Sequence, residues 1–214
     1  MSTFNGLATD GFVDLGVFLP GLTTAEAAKQ IARLLGCSSF TEADVLRPHH
    51  SEERPLNTYG GNFGLQSLPL HTDLAHWHRP PRYVMLRCVV GSVCVRTPLL
   101  HHMRALQGVN PAIVRRALFR PRRRLAGRMF FVRILDDQLF RWDQLFLEPE
   151  NAEADQVREV LTTLAATTAT SVGLDETAHT LLIDNWAVMH GRDAVPATAM
   201  SRCIERVYFE GGGV

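Results

Sequence analysis

The chain lacks a net charge, an apolar run long enough for a bilayer and any CxxC pair of cysteines. Twenty-two lysines and arginines balance twenty-two aspartates and glutamates. No whole-molecule field therefore draws it to nucleic acid or to an anionic membrane, and any anion it binds is met locally. The apolar stretch from Tyr83 to Val90 is broken by Arg87 and falls far short of the roughly 20 residues of a spanning helix. The first twenty residues carry Asp10 and Asp14 in their most hydrophobic part, with no basic segment ahead of it, so they do not read as a secretory signal. Cys37, Cys88, Cys94 and Cys203 are expected as reduced thiols, which points to a cytoplasmic setting. What the chain has is 46% hydrophobic residues over 214 positions. That excludes disorder as its main state and suits one domain spanning 1–214, on a scale of about 150 residues per domain.

Helices are few. Thr23 and Glu26 spell a capping box ahead of Ala28, Ile31, Ala32 and Leu35 at helical spacing, and Gly36 ends the run. A second helix is predicted from Asn110 with Pro111 in its first turn, covering Ile113, Val114 and Leu118. A third begins near Asn151, with Val157, Val160, Leu161 and Leu164 as its apolar stripe. Elsewhere β-branched and aromatic runs predict strands at 83–90, 92–96, 128–135, 138–147, 180–186 and 202–210, with Asp136 and Asp137 turning a hairpin. The product is an α+β, mainly β chain: an antiparallel sheet pair or barrel with helices packed outside. An arginine cluster from Arg115 to Arg128 lacks the aromatic platform of a nucleic-acid module and reads as a solvated charged loop.

Three segments can carry chemistry. In Leu68-Pro-Leu-His-Thr-Asp-Leu74, an extended strand turns His71 and Asp73 to one face and Thr72 to the other. A second apolar strand delivers His190 into a Gly-containing bend. Two imidazoles and one carboxylate make up the facial triad that holds non-haem Fe(II) with cis positions open; the same three donors also suit zinc. In the closing segment Arg202, Ile204, Arg206 and Tyr208 alternate with Cys203, Glu205, Val207 and Phe209. An inward arginine face needs anionic partners, because an unpaired buried charge costs on the order of several kcal/mol. A dicarboxylic ligand would supply one in bidentate geometry, and protein carboxylates are the other source.

These segments resemble the Fe(II)/2-oxoglutarate-dependent dioxygenases of the taurine dioxygenase and clavaminate synthase-like family. The strand bearing HxD comes first. Phe140-Arg-Trp-Asp143 with Pro149 follows and is similar to that family's "lRyD... P" stretch. Asp184-Asn-Trp-Ala-Val-Met-His-Gly-Arg192 resembles its "DNxxxxHgR" signature, and Arg202 and Arg206 close the order. The resemblance implies a double-stranded β-helix of jelly-roll, cupin-like type with flanking helices. It implies Fe(II) on His71, Asp73 and His190, and 2-oxoglutarate held at its far carboxylate by Arg202 and Thr97. Dioxygen would be consumed, succinate and CO2 released, and a substrate C–H bond oxidised. A carboxylate at position 73, where related halogenases have Ala or Gly, implies hydroxylation, with desaturation or ring formation as the alternatives. Arg206, Trp77, Asn62 and Tyr59 are expected to border a small, carboxylated substrate such as an amino acid or a natural-product intermediate, with the far carboxylate of 2-oxoglutarate as the alternative partner of Arg206. Two further readings stand beside this one: a ligand-binding β-helix without catalysis, and a zinc protein in which Arg202 has no purpose. The chain is short for the family and lacks much of the insert that forms a lid, so self-association stays open.

Overall fold

A computed structural model describes residues 4–55, 58–122, 129–164 and 169–211. Its centre is two antiparallel sheets. The larger runs in the order Phe12–Val17, His179–Asp184, Tyr83–Val90, Cys203–Glu210 and Ser39–Phe40, with Asp44–Leu46 also paired to Cys203–Glu210. The smaller runs Thr170–Gly173, Arg96–His101, Val188–Arg192 and Leu68–His71. Alternation along each strand sends every second side chain to the same face. Val84, Leu86, Cys88, Leu181, Ile183 and Ile204 of the larger sheet thus meet Leu99, Val172 and Val188 of the smaller in one buried layer.

The outer faces are covered separately. The helix Thr24–Leu35 lays Ala28, Ile31, Ala32 and Leu35 against Tyr83, Met85, Leu182, Val207 and Phe209. Its ends are as the sequence predicts: Thr23 and Glu26 form the reciprocal cap, and Gly36 closes it with a φ of 64°, a left-handed conformation that glycine adopts without steric cost. Fully burying one such Ile or Leu side chain contributes about 1.5–3 kcal/mol. On the other side, the segment after His101 folds back so that Phe119, Phe140, Trp142, Val157 and Leu161 pack on Leu70, Leu100 and Met189 of the smaller sheet. No helix among the described residues is long and apolar enough to cross a membrane.

Several predicted elements differ in extent. The second helix spans only Pro111–Arg116, and Leu118 opens a strand, Leu118–Pro121, paired with Leu147–Pro149 and Val132–Arg133. Tertiary pairing overrides the helical spacing there, because strand geometry lets Phe119 enter the core completely. The strand expected at 92–96 lies instead at Arg96–His101, since Ser92–Val95 form the turn before it. The expected strands 128–135 and 138–147 shorten to Val132–Arg133, Leu135–Asp136 and Leu139–Phe140; Arg128 lies outside the described residues. The hairpin at Asp136-Asp137 is present, with Asp137 at a φ of 51°. In the arginine cluster, Arg120 pairs with Glu148 and Glu150, and Arg122 pairs with Glu148. This is the charged surface expected, while Arg123 and Arg124 lie outside the described residues.

Candidate metal centre

His71 and His190 face each other because their strands are paired in register, residue opposite residue. Directly opposed residues share a face, so both imidazoles enter the space between the sheets, with ring centroids 4.7 Å apart. The strand ends at His71, and Asp73 reaches the same point from the turn that follows. Leu74 then takes a φ of 55° and swings the chain away immediately behind the carboxylate. The three side chains are buried, and their donor atoms all lie within 4.8 Å of one another. Thr72 points the other way, where its backbone N–H donates to the Trp142 carbonyl at 2.8 Å and its hydroxyl accepts from Trp142 N at 3.1 Å.

The donor set is prepared for a cation. The ring Nδ1 of His71 bonds the Pro69 carbonyl at 2.8 Å, leaving Nε2 toward Asp73 at 3.5 Å. This is the outer-ring hydrogen bond that orients imidazole ligands. Burial pushes His190 down to about 4, so it stays neutral and free to donate its lone pair near pH 7. Burial would raise the Asp73 carboxyl, but the Arg206 guanidinium above all, with the hydrogen bond from His71, outweighs it and holds it well below the usual carboxylate range. Two imidazoles, one ionised carboxylate and no thiolate fit a divalent first-row metal such as Fe(II).

Asp73 is held on all sides. Arg206 Nη1 lies 3.2 Å from its Oδ2, and the Tyr208 hydroxyl donates to the same oxygen at 3.0 Å. Both come from the inward face of the Cys203–Glu210 strand, opposite Leu86 and Val84. The fully buried Asn185 clamps the Asp73 main chain: its Oδ1 accepts from Asp73 N at 2.7 Å, and its Nδ2 donates to the Asp73 and Pro81 carbonyls at 3.0 Å each. Arg141, also buried, donates to the carbonyls of Ala75, Trp77 and His78 and pins the loop beyond the ligand. Arg192 does the same before it, on Gly64 and Gln66. Asn185, Arg141 and Arg192 stand inside the motifs quoted above, and Tyr208 shares the predicted face with Arg206. Alternation and motif position were thus their only signals.

The remaining predicted residues divide. Tyr59, on the short helix Tyr59–Phe63, stacks on His71 with centroids 4.3 Å apart. Its hydroxyl is buried against the Asp143 carboxyl without regular hydrogen-bond geometry, and burial followed by Asp143 raises its ionisation well above normal. Asn62 is exposed and its side-chain amide donates to the Thr58 carbonyl at 2.8 Å. Trp77 lines a cavity of about 220 Å³ with Arg79, Arg82 and Trp186, which none of the three metal-ligand candidates lines. Thr97 is buried two residues before the inward Leu99, on the same face. Arg202 precedes the strand across an irregularity between Cys203 and Ile204. It is 7% exposed, its Nε has no partner, and it makes no ion pair with any described residue. Arg206, in contrast, is paired with Asp44 at 2.7 Å and with Asp73.

Neither a family model nor a curated protein matches the sequence. Solved structures do match the fold. An asparagine oxygenase in complex with Fe(II), 2S,3S-3-hydroxyasparagine and succinate aligns with a TM-score of 0.65 at 19% identity, over 94% of this chain and 74% of that one. The PvcB protein from Pseudomonas aeruginosa aligns at 0.63 and 17%, over 98% and 79%. The non-haem iron oxygenase OrfP, in complex with Fe, succinate and (3S)-hydroxy-L-Arg, aligns at 0.58 and 16%, over 79% of this chain and 59% of that one. The present chain thus spans less than two thirds of OrfP. The chain shares its mainly β fold with these iron oxygenases.

Proposed function

We propose that the chain is an Fe(II)- and 2-oxoglutarate-dependent dioxygenase that hydroxylates a C–H bond of a small amino-acid-like molecule, with 1–214 acting as one domain of jelly-roll type. The observation that carries this reading is the convergence of three buried donor atoms within 4.8 Å, accompanied by a buried arginine that has no ion-pair partner among the described residues. Support comes from the iron oxygenases that share the fold, whose structures contain iron, succinate and hydroxylated amino acids. When bound, Fe(II) supplies the activation of dioxygen that couples conversion of 2-oxoglutarate to succinate and CO2 with substrate oxidation.

The protein's share is to bind, orient and exclude water. His71, Asp73 and His190 would hold the metal through three donors that converge on one point. Arg202, with Thr97 on the facing sheet, takes the distal carboxylate of 2-oxoglutarate, giving that guanidinium the counter-charge it otherwise lacks. Arg206 and Tyr59, which touch Asp73 and His71, border the substrate together with Asn62 of the same short helix as Tyr59, and Tyr59 shields His71 from solvent; the cavity that Trp77 lines contains none of the metal ligands. The zinc reading leaves Arg202 unexplained. Asp73→Ala tests the assignment: bound Fe(II) per chain and succinate formed from 2-oxoglutarate should both fall to background. Full turnover with native iron content would show that the triad is assigned wrongly.

A further inference from the structure

Beyond the ligand set, and resting on the oxygenase reading, we propose that Tyr208 is a positioning residue that sets how Asp73 meets the metal. A carboxylate can turn about its Cβ–Cγ bond and bind a cation through one oxygen or through two. Here Oδ2 is engaged twice, by the Tyr208 hydroxyl at 3.0 Å and by Arg206 Nη1 at 3.2 Å. Oδ1 lies 3.5 Å from His71 Nε2 and 3.4 Å from the same Arg206 Nη1, and Oδ2 lies 3.7 Å from His190 Nε2. The Tyr208 hydroxyl is thus the donor confined to one oxygen, and by occupying Oδ2 it favours Oδ1 as the atom through which Asp73 would meet a cation.

The two donors differ in permanence. The Arg206 guanidinium is shared with Asp44, 2.7 Å from its Nη2, on the half-exposed rim strand Asp44–Leu46. Any anion arriving at the rim competes for it. Tyr208 has no such alternative. Among the described residues its hydroxyl bonds only Asp73, its ring lies 5.0 Å beneath the Arg206 guanidinium, and its main chain is tied on both sides to Thr41, N–H to Oγ1 at 3.1 Å and carbonyl to N–H at 2.9 Å. A neutral phenol adds no charge to the site, so its contribution is to orientation, and it persists whatever Arg206 does. Partners of this kind behind metal ligands typically change metal affinity by about 10–100-fold.

The test is Tyr208→Phe in the full chain, titrated with Co(II) as the metal probe. Expected are a Kd for Co(II) raised about tenfold or more and a changed visible d–d spectrum as the freed carboxylate adopts two-oxygen binding, with the far-UV circular dichroism of the metal-free chain retained. A Kd within twofold of the parent and an identical spectrum overturn the proposal. If the Phe variant does not fold, Tyr208→Met also removes the hydroxyl while an adaptable apolar side chain fills the space, and the same two readouts decide in the same way. A parent chain that binds no Co(II) or Fe(II) at all overturns the oxygenase reading itself; a parent that binds and a variant that binds equally overturns only the role of Tyr208.

Discussion

Arg202→Met is the substitution in which stability and function should move in opposite directions. The guanidinium is 7% exposed, has no ion-pair partner among the described residues and leaves Nε unsatisfied. Burial accordingly lowers its proton affinity, with only the nearby Cys88, Asp175 and Cys203 acting against that. Replacing buried charged groups by well-packed apolar side chains stabilises proteins by about 1–4 kcal/mol, and methionine is unbranched and adaptable enough to fill the space. For a chain of this size each kcal/mol moves the melting midpoint by about 2–4 °C, so the ligand-free variant should melt on the order of 5 °C higher. With Co(II) and 2-oxoglutarate present at about 100 times its Kd, the parent should gain about 2.7 kcal/mol and the variant almost none. The two melting curves should therefore change order when 2-oxoglutarate is added. Paired thermal or urea unfolding, with and without the diacid, reads this directly. A ligand-free variant that is less stable than the parent, and that gains as much from 2-oxoglutarate, would refute the claim that Arg202 is a buried charge waiting for an anion.

Two further perturbations test the surroundings. Asn185→Ala removes three hydrogen bonds from a fully buried amide and strands main-chain groups of Asp73 and Pro81, which should cost about 3 kcal/mol in urea unfolding and weaken Co(II) binding as well; stability equal to the parent would mean the clamp is idle. His102 has its proton affinity lowered from 6.5, mainly by burial, as its ring stacks on Phe140 at 4.8 Å. The unfolded chain then binds the proton more readily, so the stability His102 contributes is complete above pH 6.5 and is lost as pH falls from there through its folded value. His102→Gln should flatten the decline of the melting midpoint below pH 6.5 without removing it, because His190, held at about 4, acts in the same direction. An unchanged pH profile in the variant would contradict the assignment.

Local patterning was enough for some of this molecule. The helix Thr24–Leu35 follows from its cap, its apolar stripe and its terminal glycine, all of which act within a few residues. The strand Tyr83–Val90 and the Asp136-Asp137 hairpin were legible for the same reason. The two histidines and the aspartate were legible as chemistry because their residue types and order along the chain are specific, although nothing local says that positions 71 and 190 meet. Only strand pairing decides that: the register that opposes His190 to His71 is a property of two distant segments brought together by sheet formation. The same holds for Arg202 and Arg206. Alternation treats them alike, yet the irregularity between Cys203 and Ile204 separates them, leaving one arginine buried with no ion-pair partner among the described residues and the other bound to Asp44 and Asp73. Sequence spacing conveys which faces a chain can offer, while the pairing of an arginine with a carboxylate depends on distances across the core, which exist only once both sheets have packed.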